Sequence, residues 1–225
     1  MKPNPYDQWL SRRRNENHGS SAVISNSPLS EGSGWEVAPN DPHHIRRKDR
    51  GFFQIVAAVI SACKAGREVA QWEQPLLVET GRGVVVLFVR EVSGRVEALV
   101  QTKWEPGNPE ENGKNGILLS PSVQASESNL EQAHGGKAPP LVEYIDKDRL
   151  ISLPCDGARF LNKENLHGTL FLKEGETLEP PTDDYKWVPI NWLHGKNIQG
   201  EVNEHLMKLI GLTTSQFCYN HEDTD

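Results

Sequence analysis

A dense block of polar and titratable side chains lies between Gln101 and His134: Gln101, Lys103, Trp104, Glu105, Asn108, Ser120, Ser122, Gln124, Ser126, Ser128, Asn129 and His134. Gln, Asn and Ser are not strong acids or bases at neutral pH. They can orient a polar, multi-hydroxyl ligand through paired hydrogen bonds. Trp104, and Trp72 upstream, can stack on a base or a sugar face, or can serve core or subunit packing. Turn residues such as Pro106-Gly107-Asn108 place much of the block on loops that border strands, where recognition groups concentrate.

Other chemistries lack their signatures. The chain has no GxGxxG, no GxxxxGK[ST], no HExxH, no CxxC and no GxSxG. His43-His44 could hold a metal only with distant help, so no metal site is expected. The three cysteines, Cys63, Cys155 and Cys218, form neither a disulfide framework nor a metal motif. A reducing, cytoplasmic compartment fits that usage. Cys155 has no visible base to activate it as a nucleophile.

Several elements must position the block. Phe52 to Val59 is an apolar run that period alone assigns to neither strand nor buried helix. Pro75–Glu79, Gly83–Glu91 and Val96–Thr102 read as successive strands, with 84–90 central because it is apolar on both faces. Short strands are expected at 117–119, 141–145, 150–153 and 167–173. A brief helix is expected at 128–132, and an amphipathic one at 200–210, where Val202, Leu206, Leu209 and Ile210 share a face. Trp187 to Leu193 leads into that last helix. The fold class is α+β, a mixed or antiparallel sheet with few helices. Residues 1–42 read as a flexible or loosely docked arm with Tyr6 and Trp9 as a sticky spot. Residues 43–212 read as one domain and 213–225 as a polar tail.

Composition agrees with a chain partly outside a core. Of 225 residues, 36% are hydrophobic and 24% charged, and the net charge is -7. The acidic balance makes nucleic-acid binding not the default, although a local basic patch would remain compatible. No apolar run approaches membrane-spanning length, so no membrane partner is expected.

The block resembles the NDP-hexose 2,3-dehydratases of deoxysugar biosynthesis. The resemblance runs over about residues 43–210. It is strongest at Gln101-Thr102-Lys103-Trp104-Glu105-Pro106-Gly107-Asn108 and at Leu119-Ser120-Pro121-Ser122-Val123-Gln124-Ala125-Ser126-Glu127-Ser128-Asn129. Arg50-Gly51-Phe52-Phe53, Trp72-Glu73-Gln74-Pro75, His134-Gly135-Gly136 and Leu141-Val142-Glu143-Tyr144 support it. It implies a Nudix-like domain lacking the metal-binding Nudix box, with no cofactor. It also implies loss of the C2 hydroxyl, as water, from a nucleotide-linked 4-keto-6-deoxyhexose. One repeat stands here where the family usually carries two, which makes a homodimer the expected assembly. The chain departs from the family at Ser152-Leu153-Pro154-Cys155-Asp156-Gly157, where a family Gln and Glu are replaced.

Such a dehydration needs a base, an acid and donors toward an enolate oxygen. Glu105 or His134 is the expected base. Asp156 and Tyr144 are second choices for proton transfer. Lys103 and Arg159 could stabilise negative charge or bind phosphate. Gln101, Trp104, Asn108, Ser120, Ser122, Gln124, Ser126, Asn129 and Trp72 are the expected substrate contacts. Two alternatives stay open: a noncatalytic nucleotide-sugar or small-molecule binding protein, and an isomerase or cyclase acting on a hydroxylated intermediate.

Overall fold

A computed structural model describes residues 3–17, 24–25, 34–49, 52–61, 69–79, 81–111 and 114–222. Arg50-Gly51, Cys63 and the last three residues lie outside the described residues, as do the side chains of Asn17, His134 and 216–222.

The chain opens with α1 (Pro5–Asn17), then β1 (Trp35–Ala38), β2 (Asp41–Arg47), β3 (Gln54–Ser61) and β4 (Gln71–Val78). These four strands form one antiparallel sheet in chain order. The ambiguous run after Phe52 is therefore a strand, β3. Next come β5 (Val84–Val92), β6 (Arg95–Trp104), β7 (Ile117–Ser120), β8 (Val123–Ala125) and the single-turn α2 (Glu127–Leu130). Then follow β9 (Ile151–Pro154), β10 (Glu164–Phe171), β11 (Tyr185–Pro189), α3 (Ile190–Ile198) and α4 (Glu204–Glu222). The second sheet runs β11-β6-β5-β10-β9, with β7 on β6 and β8 on β5. Only the β5–β10 pair is parallel among the described strands.

β5 is central, as its two-sided apolar pattern predicts: Val84 to Val89 are all buried. Along one edge it pairs first with β8, through Val84–Val86, and then with β6, from Phe88 onward. β6 in turn leaves β5 beyond Leu99 and pairs with β7 from Gln101. At this fork the ladder has a gap, and Ser122 fills it. Its fully buried Oγ accepts from the Phe88 N–H at 2.9 Å and donates to the Leu99 carbonyl. Gln101 Nε2 donates to the Pro121 carbonyl beside it at 2.8 Å. Ser122→Ala leaves both backbone groups without that partner. Chemical denaturation should show a loss of about 1–3 kcal/mol; an unchanged midpoint would mean the fork is held by other contacts.

Each face of the second sheet carries a core. Val85, Leu87, Val89, Ala98 and Val100 pack under α1, α3 and α4. Of the predicted helical face, Leu206, Leu209 and Ile210 lie on α4 and are at most 2% exposed, while Val202, 5% exposed, precedes the helix and bridges Leu119. The opposite face, with Val84, Val86, Phe88, Leu99, Leu170 and Trp187, packs with Leu141 and Leu178 from the segments outside its strands.

Three stretches differ from the sequence expectation. Within the expected arm, α1 docks firmly: Trp9 and Leu10 are 5% and 2% exposed in the same core as α4. Trp9 Nε1 donates to the Asp183 carbonyl at 3.0 Å, and Arg13 pairs with Asp184. Residues 141–145 form a 3-10 turn, Val142–Tyr144, instead of a strand. Leu141 follows Pro139-Pro140 and adopts a left-handed φ of 69°, which turns the chain so that its side chain enters the core. The helix expected over 200–210 begins at Glu204 and continues to Glu222. Thr213 is buried and bonds Thr169 of β10 at 2.9 Å, which carries the helix onward along the sheet.

Candidate functional site

Register places Gln124 of β8, Val85 of β5 and His167 of β10 in one row across three strands. Partners in register share a face, so Gln124 and His167 flank Val85 on the α4 side, roughly 10 Å apart by strand spacing. The first turn of α4 closes over this row.

Asn203 caps that helix, its Oδ1 accepting from the Leu206 N–H at 2.9 Å. Its Nδ2 donates to Gln124 Oε1 at 2.7 Å and to Ser120 Oγ at 3.0 Å. Gln124 Nε2 then donates to Glu105 Oε1 at 2.9 Å. Lys103 Nζ stands 3.2 Å from the same oxygen. The result is a polar chain, Asn203–Gln124–Glu105–Lys103, whose direction is fixed because a carboxylate can only accept. Glu105 and Lys103 keep 29% and 31% of their side chains exposed, so a ligand can reach both.

Beside this chain stand two histidines. His167 is 1% exposed, and its Nδ1 lies 2.9 Å from the Asn165 carbonyl. His205, in the first turn of α4, places its ring 6.1 Å from that of His167. Among the described residues, His167 Nε2 and His205 Nδ1 are buried with no hydrogen-bond partner. Burial pushes both imidazoles below the ordinary histidine range, and Lys208 adds to the effect. Glu204 and Glu105 oppose it at His205.

The neighbouring strand end is knit to the first sheet. Asn165 Oδ1 accepts from the Gly83 N–H at 2.9 Å and Nδ2 donates to Cys155 Sγ at 3.3 Å. Lys163 is 5% exposed and pairs with Glu79 at 2.9 Å. Burial raises the Cys155 thiol, which disfavours the thiolate a nucleophile needs.

Of the residues singled out in the sequence, Lys103, Glu105, Gln124 and Ser120 converge here. Asp156 borders the same helix end, within electrostatic range of Glu204. Its carboxylate is engaged, though, by the Ala158 N–H and by Arg159 at 3.3 Å. Arg159 is 78% exposed along its side chain and faces solvent. Ser122 and Gln101 bind backbone at the fork. Trp104 packs on Gly116, where an added Cβ would meet its Nε1 at 2.6 Å. Asn108 Nδ2 closes the same loop onto the Lys103 and Gly116 carbonyls. Ser126 caps α2, receiving the Asn129 N–H and contacting Ser128 Oγ. Tyr144 is 55% exposed on the turn that borders the other core. Trp72 lies in the first sheet, its Nε1 donating to Gln74. His134 sits in a 3-10 turn, Ala133–Gly135, with its side chain outside the described residues. Sequence reasoning did not select Asn165, His167, Asn203 or His205. Two signals pointed to them: polar residues at every second position of β10, and Asn203 just before an amphipathic run. No cluster of three or more His, Cys, Asp or Glu able to hold a metal occurs among the described residues, and no described helix is long and apolar enough to cross a membrane.

A family model described as NDP-hexose 2,3-dehydratase matches residues 4–203, from the start of α1 to the cap of α4. A dTDP-4-dehydro-6-deoxy-alpha-D-glucopyranose 2,3-dehydratase from Saccharopolyspora spinosa is 31% identical over 188 residues, covering 81% of this chain and 36% of its own. The protein of the same name from Streptomyces violaceoruber is 30% identical over 172 residues, or 74% of this chain and 36% of its own. That from Amycolatopsis orientalis is 34% identical over 128 residues, or 53% and 25%. The matches thus span between a quarter and just over a third of these relatives' lengths.

Proposed function

The chain belongs to the NDP-hexose 2,3-dehydratase family, and on that premise we propose that it removes the C2 hydroxyl, as water, from an NDP-4-keto-6-deoxyhexose. The observation that carries this reading is the Lys103–Glu105–Gln124–Asn203 chain at the mouth of α4. A 4-keto group acidifies the C3 proton. Removing it makes an enolate, which expels the C2 hydroxyl. Lys103 supplies a positive charge for the enolate oxygen, and preorganised charge of this kind is worth most where water is partly excluded. Glu105 supplies the carboxylate. Its Oε1 holds Gln124 and Lys103.

The test is turnover of dTDP-4-keto-6-deoxyglucose by the full chain, read by mass spectrometry. A product lighter by one water is expected, and unchanged substrate overturns the reading. The Nudix-like form of the sheet and a homodimer belong to the same proposal. Light scattering at twice 25.2 kDa would support the dimer, and a monomer would count against it. A binding-only role is favoured by one observation, the mutual engagement of Asp156 and Arg159 at the surface. Thermal stabilisation by the nucleotide sugar without loss of water would support that role instead.

A further inference from the structure

A dehydration needs a base for the C3 proton and an acid for the leaving oxygen, and one group can serve as both in turn. His167, in the Gln124–Val85–His167 row, and His205, on the helix above it, have no part in the polar chain described above. Their hydrogen bonding nevertheless restricts what each can do.

The Asn165 carbonyl can only accept, so His167 Nδ1 carries its proton at pH values where the ring is neutral. His167 Nε2 is then a bare lone pair, buried, and without a partner among the described residues. A buried acceptor left unmatched is costly, and native structures usually supply it with a donor. The unmatched atom on the neighbouring ring is His205 Nδ1, which can donate. The centroids lie 6.1 Å apart with the planes tilted by 38°, a spacing at which one water can bridge the two rings. The two orphan atoms are thus complementary. If His205 Nδ1 holds the proton, its Nε2 is left as a lone pair. That ring is only partly buried, unlike His167.

We propose, on the dehydration reading above, that His205 takes the C3 proton through Nε2, with His167 the positioning residue that fixes its tautomer. The C3–H bond breaks and its proton joins Nε2, while the electron pair moves into the enolate. The C2–O bond then breaks as the C2–C3 double bond forms. The leaving oxygen takes the same proton from Nε2 and departs as water. His205 ends neutral, and no oxidant or reductant is needed. The groups around His205 suit this cycle. Glu105 and Glu204 favour the transient imidazolium, whereas burial, His167 and Lys208 keep the resting ring neutral. A base that is neutral at rest near pH 7 is in its working form.

Two measurements on the full chain test this. Long-range 15N–1H correlation spectra at pH 7 should show both rings neutral with the proton on Nδ1. An Nε2–H tautomer on His205 overturns the proposal. His167→Phe should release that tautomer preference, and an unchanged His205 signature removes His167 from the role. The second measurement is turnover of dTDP-4-keto-6-deoxyglucose across pH. Because the His205 pKa lies below the ordinary value, kcat/KM should be flat at neutral pH. It should fall as pH drops through a limb below the usual histidine range. His205→Gln should lose about 10²–10⁴-fold in kcat and lose that limb. His205→Asn, if folded, should regain turnover with added imidazole. Wild-type turnover matched by both variants overturns His205 alone. No dehydrated product from the wild-type chain overturns the dehydration reading itself, and the catalytic role of His205 with it.

Discussion

Glu105→Gln should lower kcat for the proposed dehydration by about 10²–10⁴-fold while the melting temperature stays within a few degrees of the parent. The substitution keeps the shape of the side chain and removes its charge. Glu105 Oε1 accepts from Gln124 and Lys103. An amide oxygen can still accept from both, so the polar chain survives with modest cost to the fold. What disappears is the negative charge that favours a protonated His205. Steady-state kinetics beside a thermal melt separates these effects. A rate equal to the parent excludes Glu105 from the chemistry. A large fall in melting temperature instead assigns it to the architecture.

Trp9→Ala destabilises the fold by about 3–5 kcal/mol. Its indole is 5% exposed in the core shared with α4, and its Nε1 bonds the Asp183 carbonyl. The change removes both the apolar volume and the hydrogen bond. For a chain of this size the melting temperature should fall by roughly 10 °C. The substitution lies far from the polar chain in sequence, but α1 reaches the approach to α4. Arg14 pairs with Glu201 at 3.5 Å, and Lys196 bridges Glu201 and Asp7 at 3.4 and 2.8 Å. Glu201 stands two residues before Asn203. Loss of turnover at temperatures where Trp9→Ala remains folded would therefore show that the docked helix sets the α4 cap. Stability unchanged within about 0.5 kcal/mol would mean that α1 is not part of the core.

The central sheet was legible because its residues state it twice. Val84 to Phe88 combine β-branched side chains with apolar faces on both sides, and Ser93-Gly94 supplies the turn into β6. The amphipathic start of α4 was equally plain. The first helix was not, since its large apolar side chains, Tyr6, Trp9 and Leu10, sit in a polar, Arg-rich run. Its burial depends on partners at positions 183–201, and local periodicity carries no information about such distant groups. The same reason divides the site. Glu105 and Lys103 stood out as charges beside a turn. Ser122 looked like a ligand contact, yet its hydroxyl is needed inside a forked ladder that no one-dimensional pattern reveals. His167 looked like one polar residue of a strand. Only the packing of α4 across β10 brings a second imidazole, that of His205, beside its buried ring.

The docking of α1 also determines the order in which the molecule can be completed. Trp9 and its carbonyl partner are separated by 174 residues. At cellular synthesis rates that interval lasts on the order of 10–35 s, during which the Asp183 carbonyl and the helices α3 and α4 are not yet there to complete the packing. Closing so long a loop late places these contacts after the rate-limiting step, so their loss should speed unfolding and leave the refolding rate nearly unchanged. Until then Trp9, Leu10 and the sheet face they cover are open to solvent, and a nascent chain in that condition is a natural client for a holdase chaperone.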